Sequence, residues 1–398
     1  MSLFPTDPIR RARWATSLIF AVHGTVMGSV AARVPWIAAH VHVGVGQLSL
    51  ALLAPGVGAM IAMPFSGRAV HRFPTKPLMA VLMACWAAAL VLPSLPTKLV
   101  LLCLVMLPFG AAAGVSDNAM NAHAVTVEAS YGRSVMSGFH GFWSAGALVG
   151  SGAAALSAHL GVGAQSEFAV TAGALILVSA VACRWFLASP PPVDADKPPA
   201  FALPTRPILL IGLVGLCAVF GEQSSSDWSA LFLRRQLGTS LSVAALAVSA
   251  YSAAMAVTRM LGDHAIRRAG PVRTVRAAGI VAGAGGLLVV LAHQVALGIA
   301  GFALLGVGVA VVVPLVFAAA GRVGPHPARS IAGVAGVSYG AGLVAPGVIG
   351  GIASASSLRV SFAVVGALVA GMALMAPVLA PAEGQRSLGA GTASPPPA

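Results

Sequence analysis

Twelve runs of about twenty predominantly apolar residues, joined by short polar turns, decide what this chain can fold into. They occupy residues 14–32, 47–66, 78–95, 99–125, 135–158, 167–187, 207–232, 241–262, 272–292, 295–320, 331–353 and 360–380. The runs are unbroken rather than alternating, so an outer-membrane β-barrel is excluded. In lipid every backbone N–H and C=O must be satisfied within its own segment, which leaves helices. Only 8% of the residues are charged, against about a quarter in soluble chains, and 58% are hydrophobic. A water-soluble enzyme and a disordered chain are both excluded. The expected fold class is an all-α membrane protein of twelve transmembrane helices.

Lys and Arg number 23 against 10 Asp and Glu. In a soluble protein that excess would point to nucleic acid; here it orients the helices. Twelve spans bring both chain ends to one side. Eighteen basic residues fall in loops and span ends there, Arg10, Arg72, Arg133, Arg259, Arg268 and Arg329 among them. Five fall opposite: Arg33, Lys98, Arg234, Arg235 and Arg359. The positive-inside rule places both termini in the cytoplasm. Cys85, Cys103, Cys183 and Cys217 lie inside spans without paired spacing and read as packing residues.

Sliding the sequence on itself by 196 residues brings Arg133-Ser134 onto Arg329-Ser330, Ala145-Gly146 onto Ala341-Gly342, Trp143 onto Tyr339 and Arg72 onto Arg268. Span boundaries correspond as well, which reads as two parallel six-helix halves. The expected organisation is a six-helix bundle over 1–188, a Pro-rich cytoplasmic linker over 189–206, a second bundle over 207–382, and a disordered tail over 383–398.

Six plus six helices around a cytoplasmic linker resembles the major facilitator superfamily over essentially the whole chain. The loop after the second span matches that family's Gly-x-x-x-Asp-Arg-x-Gly-Arg-Arg/Lys signature at Gly67, Arg72 and Lys76, with His71 and Pro74 in place of the Asp and the second Gly. The second half keeps Gly262-Asp263 and Arg267-Arg268. Three further stretches look like the permeases related to the rhizopine-transport protein, distant relatives of fucose-type permeases. They are Asp117-Asn-Ala-Met-Asn121, His140-Gly-Phe-Trp143-Ser and Glu222 followed by Asp227-Trp. The resemblance implies alternating access between the halves, with gating at Arg72, Asp263 and Arg268. It also implies proton handling by a carboxylate on span four.

An ionisable group at a helix centre costs about 2.5–3.5 kcal/mol to insert, so the few present mark function. Asp117 and Asn121, four apart, share a face of span four. Asp117 is expected to bind a proton or a substrate hydroxyl, against the alternative that it pairs with a neighbouring helix. Glu222, near the middle of span seven, is the second candidate proton carrier, and His23 on span one the third. Five residues from Glu222, Asp227 points about 140° away. It is expected to pair with Arg33 or Arg234 in an outer gate. His140, Trp143 and Ser144 share a stripe on span five. An aromatic face with polar neighbours suits a sugar ring, and Asn121, Ser226 and Tyr339 complete the expected substrate contacts. Gly110/Gly114 and Gly146/Gly150 are expected to let helices approach closely. Gly336-Val-Ser338-Tyr-Gly340 fits a hydrolase elbow, but within an apolar span its glycines read as packing.

No phosphate-binding loop occurs, so energy is expected from an ion gradient. A proton moving down 100 mV releases about 2.3 kcal/mol, enough for roughly 40-fold accumulation of a neutral solute. The sequence therefore reads as a secondary transporter of a sugar- or polyol-like solute, not an enzyme. Proton coupling is expected, with sodium as the other candidate ion. An efflux pump and a non-transporting receptor are the alternatives. No cofactor, metal or nucleic acid is expected; the partners are the solute, the coupling ion and lipid, and the chain is expected to be a monomer.

Overall fold

Asp7 starts the first helix: its carboxylate accepts the Ile9 N–H at 2.9 Å, and Pro8 follows where no amide hydrogen is needed. The computed structural model describes residues 7–132, 135–187, 205–323 and 327–380. The expected linker up to residue 204, the Arg133-Ser134 pair and the expected tail lie outside the described residues, as do the side chains of His71, Asp263 and Tyr339.

The helices are α1 (Pro8–His40), α2 (Val45–Arg72), α3 (Thr75–Ala89), α4 (Leu99–Tyr131), α5 (Met136–His159) and α6 (Ala164–Cys183). There follow α7 (Arg206–Gln236), α8 (Leu241–Leu291), α9 (Val295–Val309), α10 (Val312–Ala320), α11 (Pro327–Ala355) and α12 (Leu358–Met375). Spans eight and nine run together as α8, turned at Gly270, whose φ of 76° and ψ of 165° are open to glycine, and then at Pro271. Span ten is instead broken, at Ala310 and Val311, into α9 and α10.

Eleven stretches among the described residues are long and apolar enough to cross a membrane. The remaining crossing is α5, rich in Gly, Ala and Ser. Large apolar side chains point outward, Leu374 at 85% exposure and Val170 at 73%, an arrangement that is cheap only against lipid tails.

Small residues bring the helices together. A Cβ on Gly24 would stand 1.9 Å from the Trp143 carbonyl oxygen, and one on Gly146 1.9 Å from that of Ala21, so α1 and α5 touch backbone to backbone. Gly110 and Gly114 do the same for α4 against Pro55 and Ala59 of α2. The pairings α1–α5, α2–α4 and α3–α6 recur later in the chain as α7–α11, α8–α9 and α8–α12. Helix limits repeat at the 196-residue offset, as in Val45 and Leu241, Leu99 and Val295, and His159 and Ala355.

The elbow-like glycines behave otherwise than expected. Gly336 and Gly340 face open space, and it is the buried Ser338 that packs, its hydroxyl donating to the Gly212 carbonyl at 3.4 Å and lying against Gly215.

The two halves of the chain meet through α1–α7, α1–α8, α2–α11 and α5–α8. On the side away from Pro8, small residues seat α2 on α11. A Cβ on Gly350 would lie 2.2 Å from that of Ser49 and 3.3 Å from the buried Trp228 ring.

The start of α5 is held by Glu128 of α4, whose Oε2 accepts the N–H groups of Val135 and Met136 at 2.7 and 2.8 Å. A carboxylate there satisfies orphan amides and complements the helix dipole. Glu128→Ala is expected to cost about 1–2 kcal/mol, seen as a lower unfolding temperature in detergent, with Glu128→Asp recovering part of the loss.

Candidate functional site

Where α5, α7, α8 and the α9–α10 break converge, one basic side chain gathers partners from each. Arg259 of α8 is 9% exposed. Its Nη2 donates to both Glu222 oxygens of α7, at 3.0 and 3.2 Å. Its Nη1 donates to Ser144 Oγ of α5 at 2.8 Å, and its Nε to the Ala310 carbonyl at 3.3 Å. The break after α9 exposes that carbonyl, and the guanidinium satisfies it. The Arg259 carbonyl accepts from Ser137 of α5 at 3.3 Å. Arg259 thus ties the second half of the chain to the first.

A second polar group lies between α1, α4 and α5. Trp143 Nε1 donates to His23 Nδ1 at 3.1 Å. That leaves the His23 hydrogen on Nε2, 3.4 Å from the Ala113 carbonyl, while the ring stacks on Trp86 at 4.8 Å. One turn beyond Ala113 on the same face is Asp117, close enough to act electrostatically on His23. Asn121 donates to the Asp117 carbonyl at 2.9 Å. Asp117 and Asn121 are part-buried, and His23 is 4% exposed.

The stripe of span five is thereby divided between the two groups. Trp143 serves His23, and the buried Ser144 serves Arg259. His140 sits edge-on to Phe20 at 5.3 Å and feels the Arg259 charge. Ser226 is part-buried on α7, where the buried hydroxyls of Ser224, Ser225 and Ser229 have no partner among the described residues. Arg72 and Arg268 are exposed near the ends of their spans.

Several expected pairings are corrected. Arg33 does not meet Asp227; its Nε donates to Glu167 of α6 at 2.6 Å and its Nη2 to the Val162 carbonyl at 3.3 Å. Arg234 bonds the Thr239 carbonyl. Asp227 accepts from Gln223, one turn back on its own helix, at 2.9 Å. A buried carboxylate on α6 takes Arg33, while intrahelical spacing takes Asp227 and loop closure takes Arg234. Glu222, expected as a proton carrier, is ion-paired with Arg259.

Sequence reasoning misses Arg259, because it stands among the basic span ends that orient the helices. The signal is present all the same: at the 196-residue offset Arg259 falls on apolar Met63, inside span two. The aligned loop residue, Arg268, lies nine positions further on, about 13 Å along a helix.

The sequence profile described as the Major Facilitator Superfamily matches residues 16–232 and, overlapping them, 211–395. The chain belongs to the major facilitator superfamily. Within the superfamily it is similar to the uncharacterized transporter y4wD of Sinorhizobium fredii, 34% identical over 363 residues that cover 90% of this chain and 96% of that one. It is also similar to the membrane protein MosC of Rhizobium meliloti, 27% identical over 353 residues, or 86% and 84% of the two chains. Among solved structures, the nucleoside transporter NupG superposes with a TM-score of 0.67 at 11% identity, covering 94% of this chain and 99% of that one. At that identity the likeness concerns the fold alone. The protein is a multi-pass membrane transporter of the superfamily type.

Proposed function

We propose that this transporter is a secondary active carrier of a small polar solute, of sugar or polyol size, in a bacterial inner membrane with both termini cytoplasmic. The solute crosses as the two halves rock about their shared centre. The observation that carries this reading is Arg259, a charge held inside an apolar bundle by groups from both halves. An ionisable residue that faces the bundle interior and joins both halves marks a candidate solute or ion pathway. The unspent α7 hydroxyls and the Trp143 ring offer the remaining contacts.

Proton movement supplies the energy. Asp117 has no arginine among its hydrogen-bonding neighbours in the described region, only Asn121 and the nearby His23. A carboxylate without a cationic partner is free to bind and release a proton as access changes. Asp117→Asn is expected to lower solute accumulation driven by an imposed pH gradient in proteoliposomes at least tenfold. If Asp117→Asn and Glu222→Gln both retain concentrative uptake and its pH dependence, the reading is wrong.

A further inference from the structure

Resting on that reading, we infer that the solute carries a carboxylate, which takes the place of Glu222 on Arg259 as Glu222 takes up a proton. Of the two interior ion pairs among the described residues, one is sealed and the other is accessible. Arg33 and Glu167 side chains are 3% and 2% exposed at 2.6 Å, whereas Arg259 and Glu222 are 10% and 24% exposed at 3.0 Å. The accessible pair also falls short of the bonding its guanidinium can give. Both Glu222 oxygens share the single nitrogen Nη2, where a carboxylate in the two-nitrogen fork would gain a second strong bond. Ser144 and the Ala310 carbonyl hold the guanidinium in place by its other nitrogens, so the cation stays while its anion changes.

Charge balance then sets the coupling. With Glu222 ionised the pair is neutral; with Glu222 protonated, Arg259 needs another anion. The titratable groups around the pair do not supply it. From α5 comes His140, which acts on Arg259 electrostatically. From α8 comes Tyr251, whose hydroxyl donates to the Glu222 backbone carbonyl at 3.4 Å. Asp227 of α7 acts on Tyr251 and accepts from Gln223, and among the described residues nothing joins it to Arg259. On α1, His23 is engaged by Trp143 and Arg33 by Glu167; on α12, Arg359 binds the Val290 and Ala292 carbonyls. The flanks of the α9–α10 break, Val309 and Val312, are apolar. A carboxylate solute supplies the missing anion, which a neutral sugar does not. The proton that Asp117 binds and releases as access changes is the one Glu222 takes up, so one proton and one carboxylate move together, with no net charge crossing.

The test uses full-length protein in proteoliposomes with labelled D-gluconate, D-glucuronate, L-lactate and benzoate, beside uncharged D-glucitol and L-fucose. A pH gradient is imposed, and a potassium–valinomycin potential is set independently. At least one acid is expected to accumulate tenfold or more above protein-free liposomes with the pH gradient and to ignore the potential. In Arg259→Gln its uptake should fall at least tenfold, with Arg259→Lys recovering part. If Arg259→Gln does not fold, the Lys variant and Glu222→Gln carry the test. Glu222→Gln is expected to lose accumulation while still exchanging labelled for unlabelled acid. If glucitol or fucose accumulates and no acid does, the transport reading stands and the carboxylate inference falls. Acid uptake that follows the potential also overturns it. If neither class moves, both readings fall.

Discussion

Glu167→Gln is expected to destabilise the folded protein by about 3–5 kcal/mol, because it strands the buried Arg33 guanidinium without its counter-ion. The pair is held at 2.6 Å with side chains 3% and 2% exposed, so water offers Arg33 no replacement. The substituted amide keeps an acceptor oxygen and the Val162 carbonyl stays at 3.3 Å, but neither carries a charge to balance the guanidinium. For a chain of this length the loss corresponds to a fall of about 5 °C in unfolding temperature, measured by heating the detergent-solubilised protein and following its monodisperse fraction. Arg33→Met combined with Glu167→Leu removes both charges and is expected to recover most of the loss, since a matched apolar pair is often as stable as a buried ion pair. Both partners belong to the first half of the chain, so the pair does not open when the halves separate. The double variant should therefore transport as the parent does. A Glu167→Gln protein that melts with the parent would show that Arg33 reaches water or another acceptor.

Gly146→Val is expected to abolish correct packing of α1 on α5. Even a Cβ there would stand 1.9 Å from the Ala21 carbonyl oxygen and 2.6 Å from its carbon, so a backbone rather than a flexible side-chain end must yield. Overpacking typically costs about 1–3 kcal/mol, and two helices forced apart along their length stand at or above the top of that range. Gly138→Ala and Gly152→Ala on the same helix face open space and serve as controls that should change little. Function should suffer with stability. The bond from Trp143 to His23 is 3.1 Å long and lies less than one turn from Gly146, so parting the helices by an ångström breaks it. A shift in tryptophan emission, together with lost transport, would report that separation. A stable Gly146→Val protein with parental emission would contradict the backbone contact.

Much of the site's membership is visible along the chain, but its wiring is not. Asp117, Asn121, His23, Trp143 and Ser144 are polar interruptions of apolar runs, and each stands in or beside the polar centre. Their partners are another matter. The sequence presents Trp143 as a surface for a sugar ring, yet its indole hydrogen is spent on His23. Nothing in the sequence marks Glu167 at the start of its span, although it neutralises Arg33 across 134 positions of sequence. A tally of basic residues serves well for orientation but treats every arginine near a span end as alike, and Arg259 is hidden within it.

The sequence by itself determined an all-helical membrane protein of twelve crossings, because run length and apolarity are local properties and lipid leaves the backbone no other way to satisfy its polar groups. Its small residues also marked which helix faces draw close, as at Gly110 and Gly146. Only the tertiary structure decided which charge meets which. That choice depends on how each helix is rotated about its axis and where distant helices cross. Pro314, which has no amide hydrogen to give the carbonyl four residues back, announces the break at Ala310, but only the fold turns that carbonyl toward Arg259.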